Sequence, residues 1–200
     1  MRMRNPKDRD EVINSCTFFY DKDVGFLNDF PIHLEIGMGK GSFILNMALK
    51  YPNINFIGVE KYSSVASVAI KKIREYNLSN LKILIMDAKD LGEVLPHKIE
   101  CLYLNFSDPW PKDRHAKRRL TSPNYLQCYD NLFVRKCLII QKTDNDDLFS
   151  YSIDSLRNYG YKLEKVSYDL HNDEIQNVMT EYEGKFSKQG IKIKYLKAIK

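Results

Sequence analysis

Seven short runs rich in apolar residues punctuate the chain from Ile32 onward, at 32–36, 55–59, 81–86, 99–104, 137–141, 161–168 and 191–199. Their length and the turn residues around them predict strands. Between them the apolar positions take up a helical period. Phe43, Ile44, Met47 and Ala48 share one face of Ser42–Lys50, and Val65, Ala69 and Ile73 share one face of Ser63–Tyr76. A helical turn is predicted near Asp90–Leu95, a helix over Ser122–Val134 with Pro123 in its first turn, and another from Asp144 to about Asn158. Strands alternating with helices predict a parallel sheet with helices on both faces. The last two runs instead alternate apolar and polar residues, as half-buried antiparallel strands do. The expected fold is therefore α/β, a mostly parallel seven-stranded sheet ending in an antiparallel C-terminal pair. Two polar stretches fall outside the pattern. Residues 1–31, beginning MRMRNPK, read as an N-terminal arm that frays, and His171–Gly190 carries no predicted element.

A chain of 200 residues with 44% hydrophobic and 28% charged content describes one domain, taken as 32–200, large enough for a real core. Cys16, Cys101, Cys128 and Cys137 show no CxxC spacing, so they read as small hydrophobes of a reducing compartment, and no metal is expected. There is no signal-peptide pattern and no apolar run long enough for a bilayer, which makes a cytoplasmic protein without a membrane partner the expectation. Net charge is +5 and the pI near 8.9, mild enough that clustering matters more than the total.

The clustering is local. The fourth apolar run leads into NFSDPWPKDRHAKRRLT (105–121), in which Asp108 precedes a rigid Pro109-Trp110-Pro111 turn and then Lys112, Arg114, His115, Lys117, Arg118 and Arg119. A carboxylate, an aromatic ring and a cationic block thus stand at a strand's carboxyl end, where open α/β sheets bind ligands. Set against a merely solvated loop, that combination reads as a nucleic-acid site, and the basic start of the arm fits ordering on RNA as a secondary reading.

Other strand ends carry their own chemistry. Gly37, Gly39 and Gly41 lie between a strand and a helix, where backbone approaches a ligand closely. The GxGxG spacing lacks the later glycine of a dinucleotide site, which disfavours a nicotinamide oxidoreductase. Glu60 ends the second strand, where a carboxylate accepts from ribose hydroxyls. Asp87 ends the third, placed to accept from an adenine amine, and Glu35 precedes the glycines, placed to face a positively charged group. One such carboxylate alone is more often a cap or a solvated charge. Several at one sheet edge are not.

Together EIGMGKG (35–41), IGVEK (57–61), the 105–121 motif, KTDN (142–145) and TEYEGKFSKQG (180–190) resemble the bacterial tRNA (guanine-N7-)-methyltransferase family. The resemblance runs from about residue 32 to the end. It implies a Rossmann-like class I methyltransferase fold, S-adenosylmethionine as methyl donor, and a guanine in the tRNA variable loop as target. By the same resemblance Glu35, Glu60, Asp87 and Asp108 contact the donor, and Asp108 is the residue named catalytic. Lys112, Asp144, Thr180, Glu181, Tyr182 and Glu183 contact substrate, and Arg114, His115, Ala116, Lys117, Arg118 and Arg119 lie against RNA. The protein is then a monomer or homodimer that acts on tRNA. Departures at the short N-terminal region and the lysine-rich tail bear on the RNA footprint more than on the chemistry.

Guanine N7 carries a lone pair and no proton, so the reaction asks for alignment and charge placement rather than a base. Trp110 either stacks the extruded base or packs under the proline turn, and His171 has no role beyond a structural one. Two rivals remain: an amino-methyltransferase acting on an exocyclic nitrogen, and a non-catalytic RNA-binding Rossmann protein.

Overall fold

A computed structural model describes residues 6–200. Its strands are β1 (Ile32–Ile36), β2 (Asn55–Glu60), β3 (Leu81–Ile85), β4 (Ile99–Asn105), β5 (Phe133–Thr143), β6 (Lys162–Ser167) and β7 (Lys194–Ile199). The helices are α1 (Arg9–Asn14), α2 (Ser42–Lys50), α3 (Ser63–Ile73), α4 (Pro123–Asp130), α5 (Asp146–Asn158) and α6 (Glu181–Ser187). The strands form one sheet in the order β3-β2-β1-β4-β5-β7-β6, with β7 antiparallel to both its neighbours and every other pair parallel. Strand order reverses between β1 and β4, the place where such sheets open a crevice at their carboxyl edge. One apolar cluster, including Phe43, Ile44, Phe56 and Ile70, packs α2 and α3 on one face; the other, including Leu102, Leu126, Tyr129 and Phe149, packs α4 and α5 on the opposite face.

Three local expectations change. The helix over Ser122–Val134 stops at Asp130, and β5 begins at Phe133. Buried Leu132 and Phe133 are taken by the sheet, where Ile99 N–H donates to the Leu132 carbonyl at 2.9 Å and Ile99 sits opposite Phe133. Exposed Arg135 and Lys136 interrupt the apolar run and hide the start of the strand.

The arm is the second change, because residues 8–20 of the frayed terminus expected over 1–31 pack against the domain, while most of 21–30 is exposed. Val12 of α1 is buried, Asp8 pairs with Lys71 of α3, and Arg74 donates to the Val12 carbonyl and the Ser15 hydroxyl. Phe18 and Tyr20 hydrogen-bond with Ile83, covering the β3 edge of the sheet. The MRMR start lies outside the described residues.

Third, the polar stretch 171–190 contains α6. Thr180 caps it by accepting from Glu183 N–H, and Glu183 accepts in turn from Thr180 N–H. Thr180-x-x-Glu183 is a capping-box signature legible in the sequence.

Gly41 shows how the glycine loop is seated. It adopts φ +75°, and a Cβ there would stand 3.0 Å from Ala69 Cβ and 3.2 Å from Ile73 Cδ1 on α3. Its lack of a side chain therefore serves the packing of α2 on α3. Gly41→Ala combines left-handed strain with that clash, so a loss of about 1–3 kcal/mol is expected in denaturant unfolding. An unchanged midpoint would contradict this seating of α2 on α3.

Candidate active site

The carboxyl ends of β1, β2 and β4 build one side of the crevice. After β1 the chain turns back on β2, with the N–H groups of Gly37 and Met38 both donating to the Val59 carbonyl at 2.9 and 3.0 Å. Gly37 (φ +77°) and Gly39 (φ +57°) have nothing within 4 Å of where a Cβ would be, so this backbone faces open space. Glu60, at the end of β2, accepts from Gly39 N–H at 3.2 Å and Tyr62 N–H at 2.9 Å. Burial pushes its carboxyl above the ordinary range despite those donors, and the nearby charge of Asp108 adds to the rise. Asp87 follows β3. Burial raises its carboxyl, but an ion pair with Lys61 at 2.7 Å and the Lys89 N–H outweigh that and hold it low.

Glu35 is the extreme case. It is 2% exposed, its Oε1 accepts from Asn105 Nδ2 at 2.9 Å, and its Oε2 has no partner among the described residues. Asn105 Oδ1 is likewise buried and unpartnered. Burial drives the Glu35 carboxyl up to about 7, against the pull of Asn105 and of the Lys142 charge. Two buried acceptors without donors suit a cationic group carrying N–H bonds. The ammonium, ribose hydroxyls and adenine amine of S-adenosylmethionine are all donors, so Glu35, Glu60 and Asp87 fit that group.

The β4–α4 loop forms the opposite wall. Phe106 N–H donates to the Lys142 carbonyl at 2.8 Å, which extends the β4–β5 pairing by one residue. Phe106 and Trp110 take left-handed backbone, at φ +50° and +43°. Asp108 stands exposed between them, as do Lys112, Arg114, Lys117 and Arg118, while His115 and Ala116 are half-buried. Arg119 corrects the expectation of an RNA contact. It is 6% exposed, donates to the carbonyls of Pro109 and Trp110 at 3.0 and 3.1 Å, and stacks its guanidinium 4.3 Å from the Tyr151 ring. It clamps the proline turn from inside. Trp110 is also occupied, with the Arg118 guanidinium 4.9 Å above its ring and His115 edge-on at 5.8 Å.

The third wall is the segment 171–187. Tyr182 is exposed and stacks on Phe106 and Phe186 at 6.2 Å each. Glu181 accepts from Lys72 Nζ at 2.6 Å and from the Ser42 hydroxyl. Glu183 differs from the expected substrate contact, because it is fully enclosed. Its oxygens take Lys142 Nζ at 2.7 Å, His171 Nε2 at 2.8 Å and the Asn177 amide. Burial alone would raise its carboxyl, but Lys142 and these donors hold it below the usual range. Asp144, just past β5, is half-buried, with its carbonyl taking Lys194 Nζ at 2.9 Å. Asn105, Phe106 and Lys142 lie in motifs quoted from the sequence but are given no role there, and Lys72 is not singled out. The in-register pairing of Asn105 with Lys142 brings both to the Glu35 face, and sequence spacing carries no signal of that.

The folded-state carboxyl of Glu35 lies above its ordinary 4.5, so the folded protein holds a proton that the unfolded chain has released. Stability then declines as pH rises from about 4.5 to about 7, by a total on the order of 3 kcal/mol. Glu35→Gln should remove that decline and be the more stable form at pH 8 in urea unfolding, about one pH unit above the titration. Parallel pH profiles for the two proteins would refute the burial argument.

A family model described as "Putative methyltransferase" matches residues 29–196. The tRNA (guanine-N(7)-)-methyltransferase of Lachnoclostridium phytofermentans is 45% identical, the match covering 100% of this chain and 99% of that protein. The enzyme of the same name from Mesomycoplasma hyopneumoniae is 46% identical over 100% of this chain and 99% of its own length. Among solved structures, an antibiotic-related methyltransferase superposes with a TM-score of 0.61 at 19% identity, over 100% of this chain and 96% of that one. A SAM-dependent methyltransferase from Aquifex aeolicus gives 0.60 at 10% identity, over 96% and 89%. These structural likenesses show the fold, a class I methyltransferase sheet. The likeness in sequence runs end to end, and the chain belongs to the tRNA (guanine-N(7)-)-methyltransferase family.

Proposed function

We infer that this protein transfers a methyl group from S-adenosylmethionine to N7 of a guanine in the variable loop of tRNA. The observation that carries the reading is a convergence at one sheet edge. There the open glycine backbone and its buried carboxylates meet the exposed Asp108 loop, in a chain whose full-length relatives bear that name. When bound, S-adenosylmethionine supplies a methyl group activated on a sulfonium.

The rest falls to the protein's own residues. Gly37 and Gly39 let a ligand approach their backbone. Glu60, held by Gly39 and Tyr62, accepts from ribose hydroxyls, and Asp87 accepts from the adenine amine. Glu35 Oε2 and Asn105 Oδ1 receive the ammonium. Asp108 accepts from the adjacent N1–H and amine of the guanine edge, leaving N7 free to attack. Its negative charge also offsets the positive charge that moves onto the purine, and it takes no proton. Lys112, Asp144, Thr180 and Tyr182 line the substrate side, and Glu183 supports them from beneath. Exposed Arg114 and Lys117, with Arg118 packed on the Trp110 ring beside them, offer cations to phosphates, which position an RNA without choosing its sequence.

Nucleoside mass spectrometry of tRNA incubated with the protein and donor should find 7-methylguanosine; a methyl group on an exocyclic nitrogen would mean the wrong reaction. Asp108→Ala should cut turnover by about 100-fold or more while leaving the melting temperature unchanged, since the residue is exposed. Near-normal turnover would strip Asp108 of its role. Replacing Arg114, Lys117 and Arg118 with Ala should lower the salt slope of tRNA binding by about 1 per lost contact. Arg119→Ala should instead loosen the loop with the slope kept. An unaltered slope in the triple variant would make the run a solvated face.

A further inference from the structure

Two carboxylates of α6, Glu183 and Glu181, tie down the segment that carries Thr180 and Tyr182. Glu183 points inward. It meets Lys142, whose Nζ also donates to Asn177 Oδ1 at 3.1 Å and to the Val178 carbonyl at 2.8 Å, so the lysine has no donor left for a substrate. His171 closes the same carboxylate from the solvent side and keeps 32% of its side chain exposed. Glu181 points the other way, to Lys72 on α3 and to Ser42, the first residue of α2 after the glycine loop. Lys72 also donates to the Ser42 hydroxyl. The helix therefore spans from the sheet to the donor cradle, one carboxylate on each.

We propose that His171 and Lys72 are positioning residues for the tRNA site, setting the placement of Thr180 and Tyr182 through Glu183 and Glu181. The proposal rests on the reading above that the start of α6 meets the target guanine. It turns Glu181 from a substrate contact into a tether and gives His171 a task. The buried Lys142–Glu183 pair fixes the depth of the segment, and removing either partner would strand a charge and threaten the fold. His171 and Lys72 are partly exposed and can be removed without that cost.

The test uses methylation kinetics on the whole protein with His171→Ala and Lys72→Met, beside His171→Gln and Lys72→Arg, which keep a donor in place. Each truncation should raise the KM for tRNA by about tenfold, the scale of one lost hydrogen bond to a charged group, with kcat and the calorimetric Kd for S-adenosylmethionine changed by no more than about twofold. Amide hydrogen exchange across residues 180–187 should quicken in the same two variants. The Gln and Arg forms should restore both readouts. An unchanged KM with unchanged exchange would overturn the proposal. So would parallel losses in donor affinity and melting temperature, which indicate a structural role only, or a failure of the conservative forms to rescue. Failure of the underlying reading would look different, as a wild-type protein that does not methylate tRNA, and the exchange data would still decide the anchoring.

Discussion

One hydrogen bond, from Asn105 Nδ2 to Glu35 Oε1, crosses between β4 and β1 where the strand order of the sheet reverses. Among the described residues it is the sole donor contact of a carboxylate buried at the mouth of the crevice. An ionised carboxylate in such surroundings costs several kcal/mol unless it is paired. Asn105 supplies part of that pairing directly, and the charge of Lys142 acts in the same sense. The adjacent glycine loop leaves the space open, and Glu60 holds that loop in place. Under the proposed function, donor recognition rests on these buried carboxylates and the open glycine backbone.

A second buried carboxylate behaves in the opposite way. Glu183 is saturated by Lys142, His171, Asn177 and its own helix cap. Such a pair adds little net stability, yet losing one partner costs roughly 3–5 kcal/mol. Its use is geometric: it pins the 171–183 segment to the end of β5, directly beside Asn105. Both carboxylates feel the charge of Lys142, which links the Glu35 end of the crevice to the 171–183 segment.

Much of this was legible in the chain. The strands, their acidic ends and the glycine turn follow from periodicity and from the chemistry of strand termini. The misses share a physical cause. Arg119 looks like its neighbours in a basic run, and only the fold-back of the Pro109-Trp110 turn onto its guanidinium takes it out of solvent. The docking of residues 6–20 depends on Lys71, Arg74 and Ile83, which are remote in sequence. The start of β5 was hidden because Leu132 and Phe133 suit a helix or a strand equally, and the neighbouring β4 decided between them. By contrast α6 was readable, since Thr180-x-x-Glu183 is a local signature that a polar composition obscured.

The proposed reaction alkylates a guanine of the variable loop at N7, in a crevice that aligns and neutralises rather than moving a proton. Borohydride reduction followed by aniline treatment tests it most directly, because N7-methylguanosine weakens its glycosidic bond and the RNA chain breaks there. After incubation with the protein and S-adenosylmethionine, tRNA should show a single new break within the variable loop. Methyl incorporation without scission, or scission elsewhere in the molecule, would contradict the account.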